Sequence, residues 1–341
     1  MIREIIKKSM ADEILNEQEI ARLFRVPLFS EESACIIAAA REKSEQSSGG
    51  LAEVHAQVGL NIAPCPRNCK FCAFAAVNKV FKGKSEIAPQ EAVCRTLQFE
   101  ADGANAIFVM ATADYPFGKF IEIGREIRRA LKSDTVLIAN VGDFTYEEAK
   151  QLKATGFSGI YHAVRLGEGR DTTISSQKRL DTFRHAKEAG LTLGTCLEPV
   201  GNEHSIEELV EKTIITRDAE PCYSGAARRI LIPDTHLAQY GMVSEARMAH
   251  IIAVVRLALP STIPGNCTHE PNVIGVAAGA NLLWAEVGAN PRDTKEETKG
   301  ARGMSVLDCR KVFEEAEWKI LDGPSRFYAK DPARIDSFLP S

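Results

Sequence analysis

From residue 51 onward, short apolar runs rich in β-branched residues alternate with longer amphipathic stretches, and this rhythm limits the chain to few folds. Eight runs read as strands, near 54–62, 106–112, 135–141, 159–165, 192–200, 228–233, 262–267 and 282–287. Helical periodicity fills the gaps over 89–102, 118–132, 145–155, 176–189, 205–216, 242–258 and 305–318. Gly103, Gly156 and Gly190 stand where left-handed helix caps are expected. Strand–helix alternation builds parallel βαβ units. Eight such units close into a (β/α)8 TIM-type barrel whose site lies at the C-terminal ends of the strands. Residues 1–50 read as an N-terminal helical extension, with a helix start at Ser30-Glu31-Glu32-Ser33 and a break at Ser47-Ser48-Gly49-Gly50. The expected divisions are 1–50, a barrel over 51–325, and a C-terminal tail over 326–341.

Charge narrows the range of partners. Lys plus Arg total 42 and Asp plus Glu 46, a net charge of −4, so no basic face advertises nucleic acid. No apolar run of membrane-spanning length occurs, and the charged N-terminus lacks a signal-peptide core. A cytoplasmic location is expected. The nine cysteines are odd in number, which in a reducing compartment points to metal or redox chemistry rather than disulfides.

Three of those cysteines stand together in Cys65-Pro66-Arg67-Asn68-Cys69-Lys70-Phe71-Cys72, directly after the first strand. Three thiolates hold three irons of a [4Fe-4S] cluster and leave the fourth open. A structural zinc site would want a fourth Cys or His nearby. His55 lies ten residues upstream, and the segment after Cys72 has neither residue until Cys94.

The Cys-x3-Cys-x2-Cys spacing, the aromatic Phe71 before the last cysteine and the position in the chain resemble the radical S-adenosylmethionine (SAM) superfamily. The resemblance covers most of residues 15–320 and is closest to the biotin-synthase-like branch. That branch includes biotin synthase, the [FeFe]-hydrogenase maturase, methylornithine synthase and the iron-guanylylpyridinol cofactor maturase. Met110-Ala111-Thr112-Ala113-Asp114-Tyr115-Pro116, Arg179-Leu180-Asp181-Thr182 and Ala278-Gly279-Ala280-Asn281 are similar to biotin synthase; Val200-Gly201-Asn202-Glu203 is similar to methylornithine synthase. The resemblance implies a [4Fe-4S] cluster on Cys65, Cys69 and Cys72, with SAM on the open iron. It also implies hydrogen abstraction from a small-molecule substrate and an external one-electron donor such as flavodoxin or ferredoxin. Relatives include dimers and monomers, so a homodimer stays open. Biotin synthase carries three further cysteines for a second cluster, and these positions fall on Val109, Ile138 and Thr195. Their loss argues against sulfur insertion and for rearrangement, fragmentation or methyl transfer. A non-catalytic iron–sulfur scaffold is the alternative from another class.

For SAM, the resemblance implies Ala111, Thr112 and Ala113 at the methionine amino group, Glu168 at the ribose or amino group, and Arg179 at the carboxylate, which suits a guanidinium fork. Cys196 and Glu198 lie two apart on the fifth strand and so share a face, offering a thiol and a carboxylate for catalysis. Asp114, Tyr115, His162, Arg165, Arg228, Cys267 and His269 are the candidate substrate contacts. Of Arg228 and Arg229, neighbours on one strand, one is expected inward and the other at the surface. Cys196, Cys267 and His269 are far apart in sequence, and spacing alone does not make them a metal site.

Overall fold

A computed structural model describes residues 1–62, 64–288, 290–292 and 303–329. Eight parallel strands close into a barrel: β1 (Leu51–Gly59), β2 (Ala106–Met110), β3 (Val136–Asn140), β4 (Gly159–Tyr161), β5 (Thr192–Gly194, resuming as Leu197–Val200), β6 (Tyr223–Arg228), β7 (Gly265–Thr268) and β8 (Leu282–Gly288). Each strand pairs with the next in sequence, and β8 pairs back onto β1 with Ala56 opposite Ala285. This is the (β/α)8 TIM-type fold that the alternation predicts.

Three N-terminal helices precede it: α1 (Ile2–Met10), α2 (Glu17–Phe24) and α3 (Glu31–Ser48). Ser30 caps α3 through a hydrogen bond from Ser33 N–H, and α3 runs on through Ser47 and Ser48 before Gly49 closes it in the left-handed region. The outer ring comprises α4 (Pro89–Ala101), α5 (Phe117–Ala130), α6 (Tyr146–Thr155), α7 (Ser176–Glu188), α8 (Ile206–Asp218), α9 (Glu245–Ala258), a short α10 (Val273–Ala277) and α11 (Val306–Glu315). Thr145 and Ser205 open α6 and α8 with reciprocal capping boxes to Glu148 and Glu208, and Gly156 ends α6 at φ +100°.

Two strands depart from expectation. The sixth lies at Tyr223–Arg228, not 228–233. Its Ser224-Gly225-Ala226-Ala227 core lacks a β-branched signal, whereas the Ile230-Leu231-Ile232 run that imitates a strand is loop. Ile232 instead packs with Phe74, Phe81 and Met110 beside the cysteine loop. The fifth breaks at Thr195 and Cys196 before resuming.

Strand alternation sorts β1 between two cores. Ala52, Val54, Ala56 and Val58 face the helices. Glu53, His55 and Gln57 belong to the alternate register; His55 lies among the rings of Phe108, Tyr223, Trp284, Phe327 and Tyr328 inside the barrel. Phe327 and Tyr328 come from the chain's end and fill the barrel bottom. Glu53 anchors them by accepting from Ser325 Oγ (2.5 Å), Arg326 N (2.8 Å) and Phe327 N (3.3 Å), and from His55 Nε2 (2.8 Å). His55 is thus a buried core residue held through Nε2 to Glu53, with its Nδ1 left without a hydrogen-bond partner among the described residues. The barrel is closed below and can admit a ligand only from the opposite end.

Candidate active site

At the C-terminal ends of the strands opens a cleft of about 1130 Å³. Cys65, Cys69 and Cys72 line it, on a loop held by its own polar groups. Asn78 Nδ2 donates to the carbonyls of Lys70 and Cys72, both at 2.9 Å. Asn68, at φ +51°, accepts from Val77 N–H. Lys70 N–H donates to the Asp171 carbonyl, and its ammonium pairs with the Asp171 carboxylate at 3.2 Å. The loop is therefore shaped by the protein before any cofactor arrives.

The three thiols suit an iron–sulfur cluster better than a single ion. One ion at ordinary metal–sulfur distances of about 2.3 Å needs its sulfurs within about 4.6 Å of one another. Among the described residues, one trio of His, Cys or carboxylate donors has all its donor atoms within 4.8 Å, and it is not this one. Burial pushes the Cys72 thiol up to about 12, and the charges of Cys69 and Cys65 add to the effect. Burial raises Cys65 and Cys69 as well. Three such thiolates form together only beside cationic iron, which a three-cysteine [4Fe-4S] site supplies. The cluster would be held by Cys65, Cys69 and Cys72.

Around the thiols, the wall is built in two layers. Arg67, Arg165, Arg179, Arg228, Arg229 and Arg292 line the cleft. Carboxylates hold five of them. Arg165 pairs with Glu198 at 3.3 Å, Arg228 with Glu270 at 2.6 Å and Arg292 with Glu286 at 2.7 Å. Arg229 makes a two-pronged contact to Glu203 at 2.6 and 2.9 Å. Arg179 bonds both oxygens of Asp143 at 3.1 Å and Glu168 at 3.2 Å. Of these carboxylates only Glu198 and Glu286 reach the lining, so the face turned to a ligand is cationic.

Asp143 is the pivot of this network. His162 Nε2 lies 3.0 Å from Asp143 Oδ1, and Thr182 Oγ1 donates to the same oxygen at 3.2 Å. Burial opposes the charge on Asp143, but the His162 hydrogen bond and the His162 and Arg179 charges outweigh it and hold the carboxyl well below its usual range. Burial lowers His162 to about 4, against the pull of Asp143, so the imidazole is neutral at pH 7.

Of the residues singled out in the sequence, Ala111, Thr112, Ala113, Arg165, Arg179, Glu198, Arg228 and His269 line the cleft. Thr112 is pinned by Asn61, which donates to its hydroxyl (2.8 Å) and accepts from its N–H (2.9 Å). Other expectations are corrected. Glu168 does not line the cleft; its carboxylate turns inward to Arg179, Thr172 and the Arg165 N–H. His162 sits behind Arg179. Asp114 is exposed, and Tyr115 lies beside Lys119 away from the cleft, because the chain turns outward into α5 after Ala113. Cys196 and Cys267 are buried below the cleft floor rather than lining it. Arg229 is buried, so neither member of the Arg228–Arg229 pair is at the surface.

Sequence reasoning missed Asp143, Gln57, Asn140, Glu286 and Arg292. Gln57 and Asn140 bond each other across β1 and β3 at 2.8 Å and line the cleft. The available signal was their place at or just beyond strand ends, where a barrel carries its site.

A closed parallel barrel, a three-cysteine loop and a cationic cleft thus meet at one end of the fold. Residues 63–213 match the Radical SAM superfamily, which marks a radical SAM domain. The chain is also similar to biotin synthases. It is 28% identical over 238 residues to that of Kocuria rhizophila, covering 66% of this chain and 50% of the relative. It is 27% identical over 235 residues to that of Neorickettsia sennetsu, covering 64% and 72%. The match thus spans half the length of the Kocuria enzyme. Among solved structures, the FeFe-hydrogenase maturase HydG of Carboxydothermus hydrogenoformans superposes with a TM-score of 0.77 at 20% identity, over 96% of this chain and 81% of that one. Methylornithine synthase (PylB) gives 0.75 at 17%, over 98% and 100%. These structures share the fold. The Radical SAM match and the biotin synthase relatives imply a [4Fe-4S] cluster and SAM as cofactors. Among the described residues, no helix is long and apolar enough to cross a membrane.

Proposed function

We propose that the enzyme abstracts hydrogen from a small molecule bearing an anionic group. Rearrangement, fragmentation or methyl transfer follows, in the making of a cofactor or an unusual amino acid. The observation that carries this reading is the convergence of the three cysteines and six arginines on one cleft. A guanidinium fork recognises carboxylate or phosphate in two-point geometry. When bound, the cluster and SAM supply a 5′-deoxyadenosyl radical; the protein positions and shields them. Arg179, fixed from behind by Asp143 and Glu168, is oriented for the SAM carboxylate. Ala111, Thr112 and Ala113 offer backbone to its amino group. Arg165, Arg228 and Arg292 remain for the substrate, with Glu198 as a carboxylate that both orients Arg165 and accepts a hydrogen bond from substrate. Valine, isoleucine and threonine at the three positions of a sulfur-donor cluster favour carbon chemistry. Flavodoxin or ferredoxin is the expected electron donor.

The test is anaerobic reconstitution with iron and sulfide, then dithionite and SAM, following 5′-deoxyadenosine beside Cys69→Ala. Formation in the native protein and none in the variant supports the reading. Cluster-loaded protein that binds SAM and yields no 5′-deoxyadenosine with any anionic substrate tried would favour a scaffold.

A further inference from the structure

Below the cleft floor the barrel brings together residues far apart in the chain. Cys196 Sγ and Cys267 Sγ lie 3.4 Å apart, and with a ring nitrogen of His269 the three donor atoms all fall within 4.8 Å. Strand register explains the meeting. Cys267 on β7 sits opposite Gly225 on β6. Gly194 opposite Tyr223 and Leu197 opposite Ala226 set Cys196 opposite the same glycine from the other side. At Gly225 a side chain is excluded twice over: φ is +123°, and a Cβ would fall 2.1 Å from the Cys267 carbonyl oxygen. The space a side chain would need is filled by the Cys267 backbone, so the glycine lets the two strands approach closely beside the sulfurs. Both cysteines are free thiols, in contact and not bonded to each other.

His269 is prepared as a ligand. It stacks flat on Trp284, centroids 4.2 Å apart at 7°, which fixes the ring plane. Tyr161 Oη is 3.4 Å from Nε2, a partner outside the trio of the kind that orients ligating histidines.

We propose that Cys196, Cys267 and His269 form a second metal site, separate from the three-cysteine loop, that takes one thiophilic divalent ion of the Zn²⁺ class. Tetrahedral bonds of ~2.3 Å set sulfurs about 3.8 Å apart, so the pair need open only by a few tenths of an ångström. Binding converts two thiols and M²⁺ to a neutral dithiolate complex and releases two protons. His269 lines the cleft while both cysteines lie beneath it, so the fourth position faces the cleft. There it takes water or a thiol, amine or carboxylate of the substrate. That last role rests on the proposed function; the site itself does not. None of its residues falls on Val109, Ile138 or Thr195, where biotin synthase carries its extra cysteines.

The test uses the full chain with Cys65, Cys69 and Cys72 all changed to Ala, titrated anaerobically with Co²⁺. Expected are about one equivalent bound, with sulfur-to-cobalt charge-transfer and tetrahedral ligand-field absorption, displaced by Zn²⁺. Adding Cys267→Ser should abolish the charge-transfer band, and His269→Ala should weaken binding about tenfold or more. In parallel, reconstituted native protein should carry zinc that Cys267→Ser loses while iron content and melting curve hold. This second arm decides if the triple variant does not fold. Absence of the cobalt–thiolate band, or its survival in Cys267→Ser, overturns the proposal. A native protein that assembles no cluster yet binds Co²⁺ would sink the radical chemistry and leave this site standing.

Discussion

Replacing Asp143 by Ala tests the two-layered wall at its most connected point. The carboxylate is almost fully buried, accepts from Thr182, lies against His162, and grips Arg179 with both oxygens at 3.1 Å. Removing one partner of a buried charged pair costs about 3–5 kcal/mol. Arg179 keeps Glu168 at 3.2 Å, so its charge is not stranded and the lower end applies, about 3 kcal/mol. For a barrel of this size that is a fall in Tm of about 4 °C. SAM affinity should fall as well, because one of two struts behind Arg179 is gone. Calorimetry at pH 7.5 and equilibrium SAM binding to the cluster-loaded protein read the two effects separately. Asp143→Asn, which still accepts from Arg179, should recover part of both. If Asp143→Ala melts within a degree or two of the native protein and binds SAM equally well, the claim that rear carboxylates set the arginine wall is refuted.

Acid should destabilise the protein through His162. Its folded value of about 4 lies below the unfolded 6.5, so the neutral ring contributes stability fully above pH 6.5, and this is lost as pH falls toward 4. The loss is roughly 3 kcal/mol; Asp143, depressed further, adds its own loss only at lower pH. Denaturant melts from pH 7.5 to 4.5 should show this slope, flattened in His162→Gln; an equal slope in both assigns it elsewhere. Cys69→Ala should melt like the native apoprotein but fail to assemble the cluster and form no 5′-deoxyadenosine; a native yield would remove Cys69 from the ligand set. Tyr328→Ala should cost about 3–5 kcal/mol, since it empties the barrel bottom beside Tyr223, while 5′-deoxyadenosine per folded chain holds. An unchanged urea midpoint would mean that the bottom closes without it.

The barrel and the cysteine loop were legible because each is written in contiguous residues. Strand periodicity, helix caps such as Ser30 and Gly156, and the spacing of Cys65, Cys69 and Cys72 need no long-range information. The sixth strand was misplaced because Tyr223–Arg228 is small and polar, fit for the crowded barrel interior rather than for a propensity scale, while Ile230-Leu231-Ile232 owes its apolar character to the loop that shields the cysteines. Glu168 and His162 were read as ligand contacts, but sequence could not say that both back Arg179. Whether a polar residue meets ligand or holds another that does is decided by one turn of loop geometry after the strand.

The same limit explains the trio of Cys196, Cys267 and His269. Cys196 stands 71 residues from Cys267, a separation that carries no motif, and the strands on either side of Gly225 bring the two sulfurs within 3.4 Å. A barrel interior has room for few side chains per layer, so a glycine there must be matched by neighbours that use its space. In this chain the neighbours are thiols under an imidazole that lines the cleft. The floor therefore presents the His269 imidazole to the arginine wall, with the two thiols beneath it. A substrate gripped by its anionic group at Arg165 or Arg292 would then present its other end to that imidazole. That geometry suits a small bifunctional molecule such as an amino acid better than a long apolar one.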